Sequence, residues 1–229
     1  LTITTSGLDN SDGKIVHAGS ATTNDSKANK HTLNITVSRV NNTKGQVLSL
    51  GDQTWKVAGD INNTQGVVQA SRFDISASAL NNTDGRIQAV NPVQSQPDTQ
   101  AQSEDTSSRL NISGNITNSI SQEDSTGGVI ANNMGALDIN AKQLVNDNAK
   151  ISSLGSLSID SDNLSNSGNV YTQDDLIIAN AKHVNNSGSI ASQGNTSLNT
   201  GSFTQNNKGQ MIAGLTFEGQ LSDNNANLR

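Results

Sequence analysis

The residue types that could carry catalysis or hold a metal are few in this chain, and their spacing limits what they can do. Adjacent carboxylates stand at Glu123/Asp124 and Asp174/Asp175. Cleaving a glycosidic bond needs two carboxyl groups facing each other across it, with a ring nearby for the sugar to stack on. Neighbours on a strand or turn point in different directions, so each pair reads as solvated charge. His17, His31 and His183 have no metal-ligand spacing, and the double-glycine calcium nonapeptide is absent. There is no cysteine, hence no thiolate or disulfide chemistry. No P-loop, nucleophile elbow or basic-aromatic stripe occurs. The residues read as a non-enzyme that uses no cofactor or metal.

Amide is what the chain has in quantity: 32 of its 229 residues are Asn and 30 are Ser, while aromatics make up 2%. Leu, Ile, Val and Phe number 50, about 22%, close to the range in which chains stay disordered. Order therefore has to come from pattern. The formal net charge of −6, the pI near 4.9 and the lack of basic clusters argue against nucleic acid or an anionic membrane as partner. No apolar run is long enough to cross a bilayer as a helix, so no membrane insertion is expected. The lack of cysteine is compatible with export in an unfolded state.

The pattern is a repeat. Apolar anchors followed by amides fall at Leu8, Val40, Ile61, Leu80, Ile116, Leu144, Leu164, Val184, Phe203 and Leu221. Their spacings are 32, 21, 19, 36, 28, 20, 20, 19 and 18, a unit of about 20 residues lengthened three times. Two residues beyond the anchor stands an amide: Asn10, Asn42, Asn63, Asn82, Asn118, Asn146, Asn166 and Asn186, then Gln205. A glycine follows, as at Gly45, Gly66 and Gly85, and then an aliphatic residue such as Val47, Val68 or Ile87. The unit closes in alternation: Leu33-x-Ile35-x-Val37, Phe73-x-Ile75-x-Ala77, Leu110-x-Ile112-x-Gly114, Leu137-x-Ile139-x-Ala141 and Leu157-x-Ile159-x-Ser161.

Alternation of period two means strands with one buried face, and no unit shows a helical period. A fixed period of this size is the mark of a solenoid, and short strands joined by turns make it a parallel β-helix of about nine coils. Stacked coils bring each asparagine over the next, so the eight asparagines are expected to form a structural ladder. The following glycine is expected to supply positive φ at a tight corner. The anchors, Phe73, Phe203 and Phe217 fall at interior positions. That leaves Trp55 and Tyr171 as possible sugar platforms, and Trp55 itself stands in an alternating strand. Sequons such as Asn41-Asn42-Thr43 recur because the corner recurs. Residues 1–229 read as one β-helical segment, a slice of a longer solenoid.

The stretches "LNNTDGRIQA" (80–89), "LVNDNAKISSLGSLSIDSDNLSNSGNV" (144–170) and "VNNSGSIASQGNTSLNTGSF" (184–203) resemble the repeats of filamentous haemagglutinins. They also resemble the large exoproteins of two-partner secretion, including contact-dependent growth inhibition effectors. The resemblance covers nearly the whole chain apart from its insertions. It implies a right-handed β-helical shaft in a secreted adhesin or inhibition effector at the bacterial cell surface. It also implies an outer-membrane secretion partner and a receptor, protein or glycan, on a target or host cell. Neither that family's secretion domain nor a toxin domain is visible.

Three insertions, near 18–31, 90–108 and 119–127, break the period, and solenoids commonly place such insertions on a binding face. The second holds both prolines, Pro92 and Pro97. Its polar residues Asn91, Gln94, Gln96, Asp98, Gln100, Glu104 and Asp105 are the candidate partner-binding set. The alternative is a polysaccharide-binding or polysaccharide-degrading β-helix, which would need converging acids in a groove beside Trp55 or Tyr171.

Overall fold

The computed structural model describes residues 1–18, 32–90, 106–122, 124–206 and 208–221. Among these there is no helix, and every strand pair is parallel. The chain forms a parallel β-helix. Each coil has a first segment carrying the Leu-x-Ile alternation, a second carrying the anchor and asparagine, and a third after the glycine. The first segments stack as ten strands in sequence order from Thr2–Thr5 to Phe217–Leu221. The third segments stack as nine, from Lys14–His17 to Gln210–Ala213. At ~4.8 Å per step the nine-strand stack spans ~38 Å between its first and last strands.

In the first four coils the first and second segments are separate strands, as in Phe73–Ala77 and Ala79–Thr83. In later coils they fuse into one strand of 10 to 12 residues, such as Ser108–Ser119 and Leu157–Asn166. The sheet still bends at the same place, and register shifts there between Ile112 and Asn115 and between Ile178 and Ala181.

Inward residues of all three segments make one core. Leu33, Phe73, Leu110, Ile116, Leu137, Leu144, Ile151, Leu157 and Ile190 have no exposed surface, and Phe203 closes the column at 6%. Trp55 is inside too, paired in register with Ile35 and Ile75 and donating its Nε1–H to Gln53 Oε1 at 2.9 Å. Gln53 is buried with it and donates its amide to the carbonyls of Val47 (3.2 Å) and Gln69 (2.8 Å). An interior polar side chain is tolerable only when so paired.

One alternation is displaced from its expected alignment. Leu110 pairs with Ile75 and Ile139, not with the leucine position, which is taken by the buried Ser108 opposite Leu137. The fifth coil has one residue more between Ile112 and Ile116 than the sixth has between Ala141 and Leu144, and the surplus is absorbed in the bulge around Gly114. The bulge needs that glycine, since a Cβ there would lie 2.6 Å from Ser78 O.

Candidate functional site

The corner between the second and third segments is built by the asparagine ladder. Asn10, Asn42, Asn63, Asn82, Asn118, Asn146 and Asn166 each donate Nδ2–H to the Oδ1 of the asparagine one coil on, ending at Asn186, at 2.7–2.9 Å. The same amide also donates to carbonyls, for instance Asn82 to Gly85 O (3.2 Å) and Val129 O (3.1 Å). All eight are buried. At the ninth repeat the rung fails: Asn186 donates to Gln210 O at 2.9 Å, and Gln205 Oε1 is buried without a partner.

Most corner glycines do something other than expected. At the first four corners positive φ belongs to the residue before the glycine, Asp12 (54°), Lys44 (56°), Gln65 (56°) and Asp84 (52°), whereas at the fifth Gly128 takes it itself (63°), as expected. Gly45, Gly66 and Gly85 are needed for close approach. A Cβ on Gly66 would lie 2.2 Å from Asn42 O and 2.5 Å from Asn63 Oδ1. The glycine makes room for the ladder, and its neighbour makes the turn.

A second chain of hydrogen bonds, which the repeat reading missed, explains the first asparagine and the threonine of "NNT". On the outer surface Asn41 donates to Ser11 Oγ (2.7 Å) and accepts from Thr43 Oγ1 (2.7 Å). Asn62 donates to Thr43 Oγ1 (3.1 Å) and accepts from Thr64 Oγ1 (2.7 Å), and Asn81 repeats the pattern with Thr64 and Thr83. Asn and Thr two residues apart was the visible signal.

The third insertion, apart from Glu123, is described, and it wraps one carboxylate. Ser121 donates its backbone N–H to Asp84 Oδ1 at 3.0 Å and its hydroxyl to Oδ2. Burial raises the Asp84 pKa, but hydrogen bonds from Ser121, Ser125 and Gln122 outweigh it and hold the group below 3.8. A cleft of about 230 Å³ beside it is lined by Arg86, Gln122, Asp124 and Thr126 among others. A wider groove of about 920 Å³ runs along the bend of the first three coils, where Arg39 lies between Asp9 and Asp60. Hydrogen bonds from the Ser11 side chain and backbone lower the pKa of Asp9.

The first two insertions are rooted at one corner. Both leave a third segment, Lys14–His17 and Arg86–Ala89, and both lead into a first segment, Thr32–Val37 and Ser108–Ser119. Their roots lie three coils apart, ~14 Å along the axis. Between them the same corner is closed by Leu50, 47% exposed, and by Arg72, whose guanidinium reaches Asp52 at 3.1 Å. The third insertion leaves from the ladder corner instead. The seven residues proposed to meet a partner, Asn91, Gln94, Gln96, Asp98, Gln100, Glu104 and Asp105, lie outside the described residues.

The rings proposed as sugar platforms are occupied differently. Trp55 is 1% exposed in the core, and the half-buried Tyr171 accepts a hydrogen bond at its hydroxyl from Gln193 at 2.7 Å. Asp174 and Asp175 bond neighbouring coils instead of one another: Ser156 donates to Asp174 at 3.3 Å, and the Asn195 N–H donates to Asp175 at 2.7 Å. His183 Nδ1 lies 2.7 Å from Ser202 Oγ, its register neighbour. No family model, curated protein or solved structure matches this chain.

Proposed function

We propose that this chain is a shaft segment of a secreted bacterial surface filament, an adhesin or contact-dependent inhibition effector, that contacts a target-cell receptor through its insertions. The observation that carries the reading is one in-register stack from which the two longest insertions leave at a single corner. A stack held by backbone bonds between coils, one continuous core and a side-chain ladder is suited to bearing load along its axis. Insertion roots ~14 Å apart on one line are close enough for one partner to meet both insertions. In the intact filament an outer-membrane partner would export the unfolded chain, and folding would follow outside.

The test is binding of the labelled protein to candidate target cells, beside a variant whose residues 92–105 are replaced by a short turn. Circular dichroism first establishes that both are folded. Binding by the intact protein that the variant loses places recognition on the shared corner. Binding that survives the replacement, or none to any cell type, removes the receptor half of the proposal. Small-angle scattering tests the shaft half: a compact, isometric particle would contradict it.

A further inference from the structure

The chain contains two Asp-Gly pairs, Asp12-Gly13 and Asp84-Gly85, at equivalent places in the first and fourth corners. Their backbones are near copies. Asp12 has φ 54° and Asp84 has φ 52°, and each glycine N–H donates to the asparagine carbonyl three residues back, at 3.0 and 3.2 Å. Each aspartate N–H donates to the next coil, Asp12 to Thr43 O at 2.9 Å and Asp84 to Ser119 O at 2.7 Å. Their side chains differ. The Asp84 carboxylate is 8% exposed as a residue and is tied to Ser121. The backbone of Gly127 packs against the Asp84 main chain, so closely that a Cβ there would be 1.8 Å from the Asp84 carbonyl oxygen. The Asp12 carboxylate is exposed and makes no hydrogen bond among the described residues.

We infer that Asp12 is a site of spontaneous isoaspartate formation, and that the 120–127 loop protects Asp84 from the same reaction. The Gly13 nitrogen attacks Cγ of the protonated Asp12 carboxyl, forming a new C–N bond, and the carboxyl hydroxyl leaves with the amide proton as water. Water then adds to the Asp12 main-chain carbonyl and breaks the original peptide bond, leaving the chain joined through Cγ. Atoms balance, since one water leaves and one returns. The glycine offers no Cβ to hinder ring closure. Closure requires the corner to open locally, which frees the Gly13 N–H from Asn10 O. Isomerisation adds a main-chain methylene between Asn10 and Lys14, at the first rung of the ladder.

The experiment is prolonged incubation of the intact protein at neutral pH, followed by peptide mapping and isoaspartyl methyltransferase labelling of each Asp-Gly peptide. Isoaspartate at residue 12 should exceed that at residue 84 by at least about tenfold, because Asp84 must first give up its charge-assisted bonds. In Ser121→Ala, isoaspartate at 84 should rise while the level at 12 stays unchanged. Equal yields at both sites in the unsubstituted protein, or more at 84, overturn the assignment. So does a Ser121→Ala protein, folded by circular dichroism, in which residue 84 remains inert.

Discussion

The first four corners of this solenoid separate two demands usually met by one glycine. Gln65 takes the left-handed conformation, and Gly66 yields the space that Asn42 O and Asn63 Oδ1 fill. Gly66→Ala should therefore destabilise the protein by about 3 kcal/mol, as overpacking against backbone does. Gln65→Gly should be neutral to ~1 kcal/mol stabilising, since relief of left-handed strain exceeds the added chain entropy. Urea denaturation of the two variants checks the pair, and the opposite order would return the conformational role to the glycine. The failed rung at Gln205 gives a second prediction. Asn at that position would let Asn186 continue the ladder and remove the unpartnered buried oxygen, a gain of about 1 kcal/mol measurable as a raised urea midpoint.

At the scale of elements, the 120–127 loop is an insertion held by a carboxylate. The folded pKa of Asp84 lies below its ordinary 3.8, so its contribution is complete above that value and is lost as pH falls through the folded pKa. Stability of Asp84→Asn should accordingly be lower than that of the unsubstituted protein at neutral pH, with the gap closing below pH 3.8. Denaturation curves across that range read it directly. Much at this scale was legible beforehand. Leu33-x-Ile35 and Leu157-x-Ile159 announce buried strands because a pleat alternates strictly, and the second asparagine of each pair announces a ladder because stacking makes like meet like. What could not be read was geometry decided between coils. Ser108 sits where a leucine was expected because a bulge at Gly114 absorbs one residue, and no local signal says which end of a strand takes up a surplus. The outer Asn–Thr chain was written in the sequence as plainly as the inner one, but its first asparagine carried no burial signal.

At the scale of the whole molecule every coil touches its neighbours and little else, so stability should spread as in a one-dimensional array. Ile139→Ala removes a buried side chain, 2% exposed, from the middle of the column and should cost about 2–5 kcal/mol. Hydrogen exchange should then quicken first in Ser108–Ser119, Leu137–Asp147 and Leu157–Asn166, with Lys14–His17 little changed. A uniform loss of protection would mean that the rod unfolds as a single unit.

The inner ladder runs one way: every described rung sends its N–H toward the C-terminal side and offers its oxygen toward the N-terminal side. It is thus a grammar with one rule, satisfied by any unit that keeps its orientation. Removing Ile61–Ala79, one whole unit, would join Asp60 to Leu80 and set Asn42 beneath Asn82 with donor and acceptor still matched. A gene built of such units can lengthen or shorten its product by recombination between repeats, and each new length inherits a working joint.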